Sequence, residues 1–383
     1  MSNISESRCA GIAFAMRYPD DVGYVWNTVG KTFDMAAGDL QSRVRCFSTY
    51  PELTGSPAFR PTFLSPRQVD FYSNAPADRE AIEAFVHAEQ IKTVVYMSCD
   101  PASIDLPWLR GLGVRTVCCE QDSFPVNATQ PWWKSLAKQV VRRHLQHNLH
   151  DLYVAVAEHQ RDFLLDFAGM PPRRVITIVN GVDTERFTPA KSDATALGLP
   201  ITDYYSLSVG QSRPEKRVHF LIDAAAEIFR RDPDLSLTFV HVGEGPTFEA
   251  DVAKAAALGL SGRFIFVGRQ NDTLPYHRLA SFLTHAAERE SFGLVLAEAM
   301  SCGKPVIATV SPGPAEIIDP DVTGVLVAPD DLSGFADAIQ RFVADRDRQQ
   351  RMGAAARERA ESRFSLRRAA DGFTRAFIEH GFA

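Results

Sequence analysis

The sequence predicts an α/β protein built from two doubly wound, Rossmann-like domains that face each other across a cleft. Three observations predict it. Short apolar runs alternate with stretches of helical period along the whole chain. The runs fall into two series, parted by a stretch with no apolar rhythm. At 383 residues the chain is also too long for one ordinary core. Strands that are apolar throughout, with helices between them, form parallel sheets covered on both faces.

The first series occupies 11–16, 93–97, 114–118, 152–156 and 175–179. After its first run comes the loop Pro19-Asp20-Asp21-Val22-Gly23, and Trp26, Val29 and Phe33 then mark a helix by their i, i+3, i+7 spacing. The second series occupies 205–209, 235–242, 264–267, 306–309 and 324–327. Between them, 188–204 carries Pro, Ala, Ser and Asp and suits an interdomain linker. The expected domains are therefore 1–190 and 200–365, with a C-terminal helix over 366–383 packing back toward the N-terminal domain. Ligands of open parallel sheets bind beyond the carboxyl ends of the strands.

Composition narrows the function classes. Hydrophobic residues at 45% and charged residues at 23% suit a soluble globular protein. A net charge of -6 argues against a nucleic-acid partner, which needs a broad basic face. The six cysteines form no CxxC pair and suggest neither a zinc site nor a disulfide framework. Residues 1–9 carry no basic-then-apolar signal region, and no apolar run approaches bilayer length, so a cytoplasmic location is expected. Neither G-x-x-x-x-G-K-[ST] nor a G-x-G-x-x-G after the first strand is present, which removes the phosphate cradles of kinases, NTPases and dinucleotide enzymes.

The chemistry concentrates in Glu290-Ser-Phe-Gly-Leu-Val-Leu-Ala-Glu298, followed by Gly303-Lys-Pro305. Gly293 allows a tight turn into a helix, and Gly303 and Pro305 stop it. Glu298 lies one turn beyond Leu294, so both carboxylates can face one mouth. Free N–H groups at the helix start suit an anion or a sugar hydroxyl, and carboxylates accept from the hydroxyls of a sugar and a ribose. Ahead of it, Gly210-Gln211-Ser-Arg213-Pro-Glu-Lys216 places cations after a strand. Lys216 is ill suited to the positive end of a helix unless an anion is present.

These segments resemble the retaining, family-4-like glycosyltransferases of GT-B fold (glycosyl transferases group 1). The likeness is dense over 155–345 and runs through Asn180-Gly-Val-Asp183, Phe187-Thr-Pro189, Val242-Gly-Glu-Gly-Pro246, Val267-Gly268-Arg269 and Ser311-Pro-Gly-Pro. It implies a hexosyl transfer from a UDP-, GDP- or ADP-type nucleotide sugar, held by the C-terminal domain, to an acceptor on the N-terminal side. That acceptor is a glycan, a lipid-linked or a small-molecule hydroxyl. By the same resemblance Glu298 holds the ribose and Glu290 the donor sugar. Backbone amides at Phe292, Gly293, Leu294 and Val295 lie against sugar and diphosphate, and Arg269 marks the base-binding edge. Lys216 and Arg213 stabilise the departing diphosphate, so no metal and no further cofactor is expected.

Three departures stand out. Gln211 occupies the place of the family's usual Arg after Gly210, and Arg213 is the replacement within reach. Gly23 stands alone where paired glycines are common. Gln121 takes the place of a His near the donor sugar, and it bonds hydrogen without shuttling protons. His285, at a strand end near Glu290, is a possible substitute. A catalytically silent sugar-nucleotide-binding protein and a GT-B-like sugar-nucleotide epimerase remain as alternatives.

One further stretch, 132–150, opens with Trp132-Trp133 and carries Lys134, Lys138, Arg142 and Arg143 with His144, His147 and His150. Its basic stripe suits a peripheral contact with an anionic membrane face, but more readily the solvated face of a core-packed helix or a basic cradle for an anionic soluble acceptor.

Overall fold

The computed structural model describes residues 9–21, 26–99, 103–120 and 149–383. The chain divides into two compact units, 1–181 with 366–383, and 182–365.

The first unit holds a seven-stranded sheet. Its strands are β1 (Gly11–Ala15), β2 (Arg45–Tyr50), β3 (Ser65–Gln68), β4 (Ile91–Met97), β5 (Arg115–Glu120), β6 (Leu152–Ala155) and β7 (Val175–Thr177). They run parallel in the order β3-β2-β1-β4-β5-β6-β7. Every residue of β1 is buried, as a strand with helices on both faces requires. Helix α1 (Lys31–Leu40) buries Phe33, Ala36, Ala37 and Leu40 on its sheet-facing side. Phe33 packs 4.6 Å from Phe14 and 5.1 Å from Phe373, so the C-terminal helix Leu366–Glu379 completes this unit's core.

Two strands of this unit carry no apolar run and escape a sequence reading. All four residues of β3 are exposed and include Pro66, which an edge strand tolerates. In β2 the polar Ser48 and Thr49 are fully buried, so polarity there is a poor guide to exposure.

The second unit holds a six-stranded parallel sheet. Its strands are β8 (Tyr204–Val209), β9 (Leu237–Val242), β10 (Phe264–Phe266), β11 (Phe282–His285), β12 (Val306–Thr309) and β13 (Gly324–Val327). Helix α2 (Val218–Arg231) buries Val218, Leu221, Ile222, Ala225, Ile228 and Phe229, a stripe of helical period. The division between units falls at Gly181/Val182, and 188–204 belongs to the second unit. Its start is anchored there. Arg278 donates to the Thr188 carbonyl and hydroxyl, and Pro189 lies against Gly303. Arg357 Nη1 donates to the carbonyls of Thr184, Phe187 and Ser301.

The strand order β10-β9-β8-β11-β12-β13 reverses direction between β8 and β11. From β8 the chain moves out to β9, and from β11 it moves the other way to β12. Ligands of open parallel sheets bind beyond the carboxyl ends of the strands at such a reversal.

Candidate active site in the second unit

The loop after β8 is held in shape by β9 and its own loop. Ser212 is fully buried, and its hydroxyl lies 3.1 Å from His241 Nε2. The other ring nitrogen, Nδ1, lies 2.9 Å from Ser208 Oγ. Burial pushes the His241 imidazole down to about 4, so it is neutral near pH 7, with one donor and one acceptor nitrogen for two hydroxyls. Gly243 and Gly245 are dictated by close approach. A Cβ on Gly243 would stand 1.8 Å from the Gly210 carbonyl oxygen, and one on Gly245 would stand 2.5 Å from that of Ser212. The chain then makes a tight turn over Pro214–Lys216, and Arg217 at φ 54° leads into α2.

That turn presents Lys216 to the loop after β11. Lys216 Nζ lies 2.6 Å from Glu290 Oε2, and the Glu288 amide donates to the Glu215 carbonyl at 2.9 Å. His285 Nε2 stands 3.4 Å from the same Glu290 oxygen. Burial alone would raise the Glu290 carboxyl. His285 and the Lys216 ammonium outweigh it and hold the group down at about 2. At 3.4 Å the His285 contact is long for a hydrogen bond, so the 2.6 Å contact to Lys216 is the firmer cause.

Beyond Glu290 the chain turns at Gly293, φ +99°, into helix α3 (Leu294–Ser301), which has no side-chain cap. The first amides of such a helix have no partner within it. Phe292 is buried with its ring 5.6 Å from Phe364, so its side chain belongs to the core. Leu294 and Val295 are half-buried. Glu298 follows on the next turn, 5% exposed, with Oε2 3.4 Å from His277 Nε2. Gly313 braces the turn. Its amide donates to the Glu290 carbonyl at 3.2 Å, and a Cβ there would stand 2.6 Å from the Phe292 carbonyl oxygen.

The site residues read from the sequence thus divide. Lys216 and Glu290 meet directly, and Gly293, Leu294, Val295 and Glu298 follow on the segment that begins at Glu290. Gln211 and Arg213 are exposed on the loop after β8, and Arg213 Nη1 is 4.0 Å from Glu215. Arg269 is exposed after β10, next to Gly268, whose carbonyl accepts from the Gly243 amide at 3.0 Å. Gly23 and Gln121 lie outside the described residues, as do 132–148. His150, counted with the basic stripe of 132–150, is fully buried between the rings of Tyr96 and Tyr153, because it sits at the entry to β6. It adds nothing to a surface charge.

Residues 190–359 match the family described as Glycosyl transferases group 1, and residues 38–186 match Glycosyltransferase Family 4. The chain belongs to the family-4-like glycosyltransferases of GT-B fold. Among curated relatives, a D-inositol 3-phosphate glycosyltransferase of Frankia alni is 36% identical over 220 residues, 54% of this chain and 54% of the relative. Another of that name from Rhodococcus opacus is 32% identical over 237 residues, 59% of this chain and 53% of the relative. The chain spans about half the length of the curated relatives it matches. Among solved structures, a glycosyltransferase of Rickettsia africae superposes with a TM-score of 0.75 at 17% identity, over 98% of this chain and 99% of that one. Anabaena HepE in complex with UDP superposes at 0.73 and 18% identity, over 97% of this chain and 100% of its own.

In this glycosyltransferase-family chain, three site-shaping residues gave no sequence signal of their own. His241 and His277 are single histidines in apolar surroundings, and nothing local separates such residues from core filling. Gly313 lies in a Pro-Gly-Pro run that reads as a turn, while its close approach to Glu290 depends on the fold.

Proposed function

We propose that this chain is a retaining glycosyltransferase that takes its sugar from a nucleotide sugar bound in the second unit. The observation that carries the proposal is the meeting of Lys216 with Glu290 at the switch point of the second sheet, on the segment that leads into the helix bearing Glu298. Family membership supports it, as do the names of the relatives. HepE, a structural neighbour, has been solved with UDP and with UDP-glucose, which makes uridine nucleotides the first to test.

In this reading the donor diphosphate takes Lys216 as its partner, and Glu290 turns to accept from hydroxyls of the donor sugar. The open amides at Phe292–Val295 and the positive end of α3 meet the phosphates and the sugar. Breaking the sugar–phosphate bond builds charge on the departing diphosphate. Lys216, with Arg213 from the same loop, stabilises that charge more than the ground state, without a metal. Glu298 accepts from the ribose hydroxyls, and Arg269 lines the base-binding edge. Retention of configuration follows from the family resemblance, and the acceptor is a hydroxyl.

The experiment is incubation with UDP-, GDP- and ADP-sugars, measuring release of free nucleoside diphosphate, alongside thermal shifts with each. A donor that stabilises the fold and is turned over supports the reading. Stabilisation without turnover under any acceptor tried would favour a silent binding protein.

A further inference from the structure

We infer that His277 is a positioning residue that orients Glu298 toward the donor ribose and so sets the preference for ribose over deoxyribose. The inference rests on the donor-site reading above.

His277 sits on the short helix Leu274–Leu279 and is fully buried. Neither ring nitrogen has a hydrogen-bond partner, yet Nε2 stands 3.4 Å from Glu298 Oε2. A buried imidazole without partners is costly, and an apolar side chain would fill the same space at no such cost. Glu298 is the complementary case. It is nearly as buried, and an ionised carboxylate can only accept. A shift of a few tenths of an ångström brings the pair into ordinary hydrogen-bond range.

The ring is held where this requires. Phe187 packs edge-on against it at 5.5 Å, and Arg357 fixes Phe187 by donating to its carbonyl at 2.7 Å. Phe187 of the Phe187-Thr-Pro189 motif therefore braces the His277 ring, which gives that motif a purpose in the second unit. With one oxygen held by Nε2–H, the Glu298 carboxylate presents the other at a fixed angle. A vicinal diol that donates there gains a preformed acceptor. A carboxylate left free to rotate loses that advantage, and a deoxyribose never had it.

The test compares UDP, GDP and ADP with their 2′-deoxy and 3′-deoxy analogues by calorimetry, using the full chain. The unaltered protein should favour the ribose form of its nucleotide by about tenfold or more. His277→Leu should bring that affinity down to the deoxy level while leaving the deoxy affinity unchanged, and His277→Met supplies the same comparison should Leu fail to fold. His277→Gln, which keeps a donor, should restore most of the preference. In a Glu298→Gln background, His277→Leu should have no further effect. In turnover, the donor KM should rise with kcat nearly unchanged. An undiminished ribose preference in a folded His277→Leu or His277→Met protein would overturn the inference and leave the donor site standing. Absence of any nucleotide binding by the unaltered protein would overturn both.

Discussion

Lys216 Nζ lies 2.6 Å from Glu290 Oε2, which joins the loop after β8 to the loop after β11 across the reversal point of the second sheet. The sequence reasoning that a lysine beside a helix start needs an anion is answered here by a carboxylate of the same chain. The carboxylate is largely buried and the ammonium is more open, at 12% and 28% exposure, so an incoming anion can reach the cation.

Lys216→Ala should lower turnover by roughly 10²–10³, the usual cost of losing one preorganised contact to developing charge. The measurement is release of nucleoside diphosphate from the cognate donor. Turnover near that of the unaltered protein would remove Lys216 from the mechanism. Arg213→Ala, in the same assay, decides whether that exposed arginine replaces the one expected at Gln211.

Glu290→Gln should change how stability responds to acid. A carboxyl that titrates near 2 in the folded protein and near its ordinary 4.5 in the unfolded chain stabilises the native state above about 4.5. That stabilisation fades as the pH falls from about 4.5 toward 2. Denaturant midpoints should therefore favour the unaltered protein at pH 7, with the gap to Glu290→Gln narrowing through that window. A gap constant with pH would count against the ion pair.

Gly313→Ala tests the brace beneath the Glu290 turn. The added methyl would stand 2.6 Å from the Phe292 carbonyl and 2.8 Å from that of Glu290, so the turn must move. Overpacking of this kind typically costs about 1–3 kcal/mol. Turnover should fall further than stability, because a displacement of about 1 Å at a catalytic loop can cost on the order of 10² in rate. Unchanged activity would show that the turn tolerates the shift.

Glu298→Gln should weaken nucleoside diphosphate binding while the fold survives. Glu298 is 5% exposed and faces His277, so the neutral isostere keeps its volume and loses its charge. Calorimetry with UDP, GDP and ADP reads the effect. Equal affinity for every nucleotide before and after the change would remove Glu298 from ribose binding.

Much of this fold is written in apolar runs. The strands at 306–309 and 324–327 coincide with β12 and β13, and each remaining run overlaps a strand to within a few residues. The runs fail where burial and polarity part company. β3 is an exposed edge of Ser, Pro, Arg and Gln, β2 buries Ser48 and Thr49, and β11 buries Thr284 and His285. The site was legible wherever a residue's role follows from its own segment. Gly293 at a helix start and Glu298 one turn on are of this kind. Contacts between segments distant in the chain were not legible, which is why the His241 bridge, the His277–Glu298 pair and the Gly313 brace came only with the structure. His285 was singled out from its place at a strand end, and its ring lies 3.4 Å from the Glu290 carboxylate.

The most direct test of the donor site is hydrogen exchange with and without whichever nucleotide sugar, among UDP-, GDP- and ADP-glucose, raises the melting temperature most. At saturation, the second unit should gain protection in 210–217 and 290–301, the loops that carry Lys216, Glu290 and Glu298. Protection elsewhere in that unit, with those two segments exchanging as before, would contradict the account.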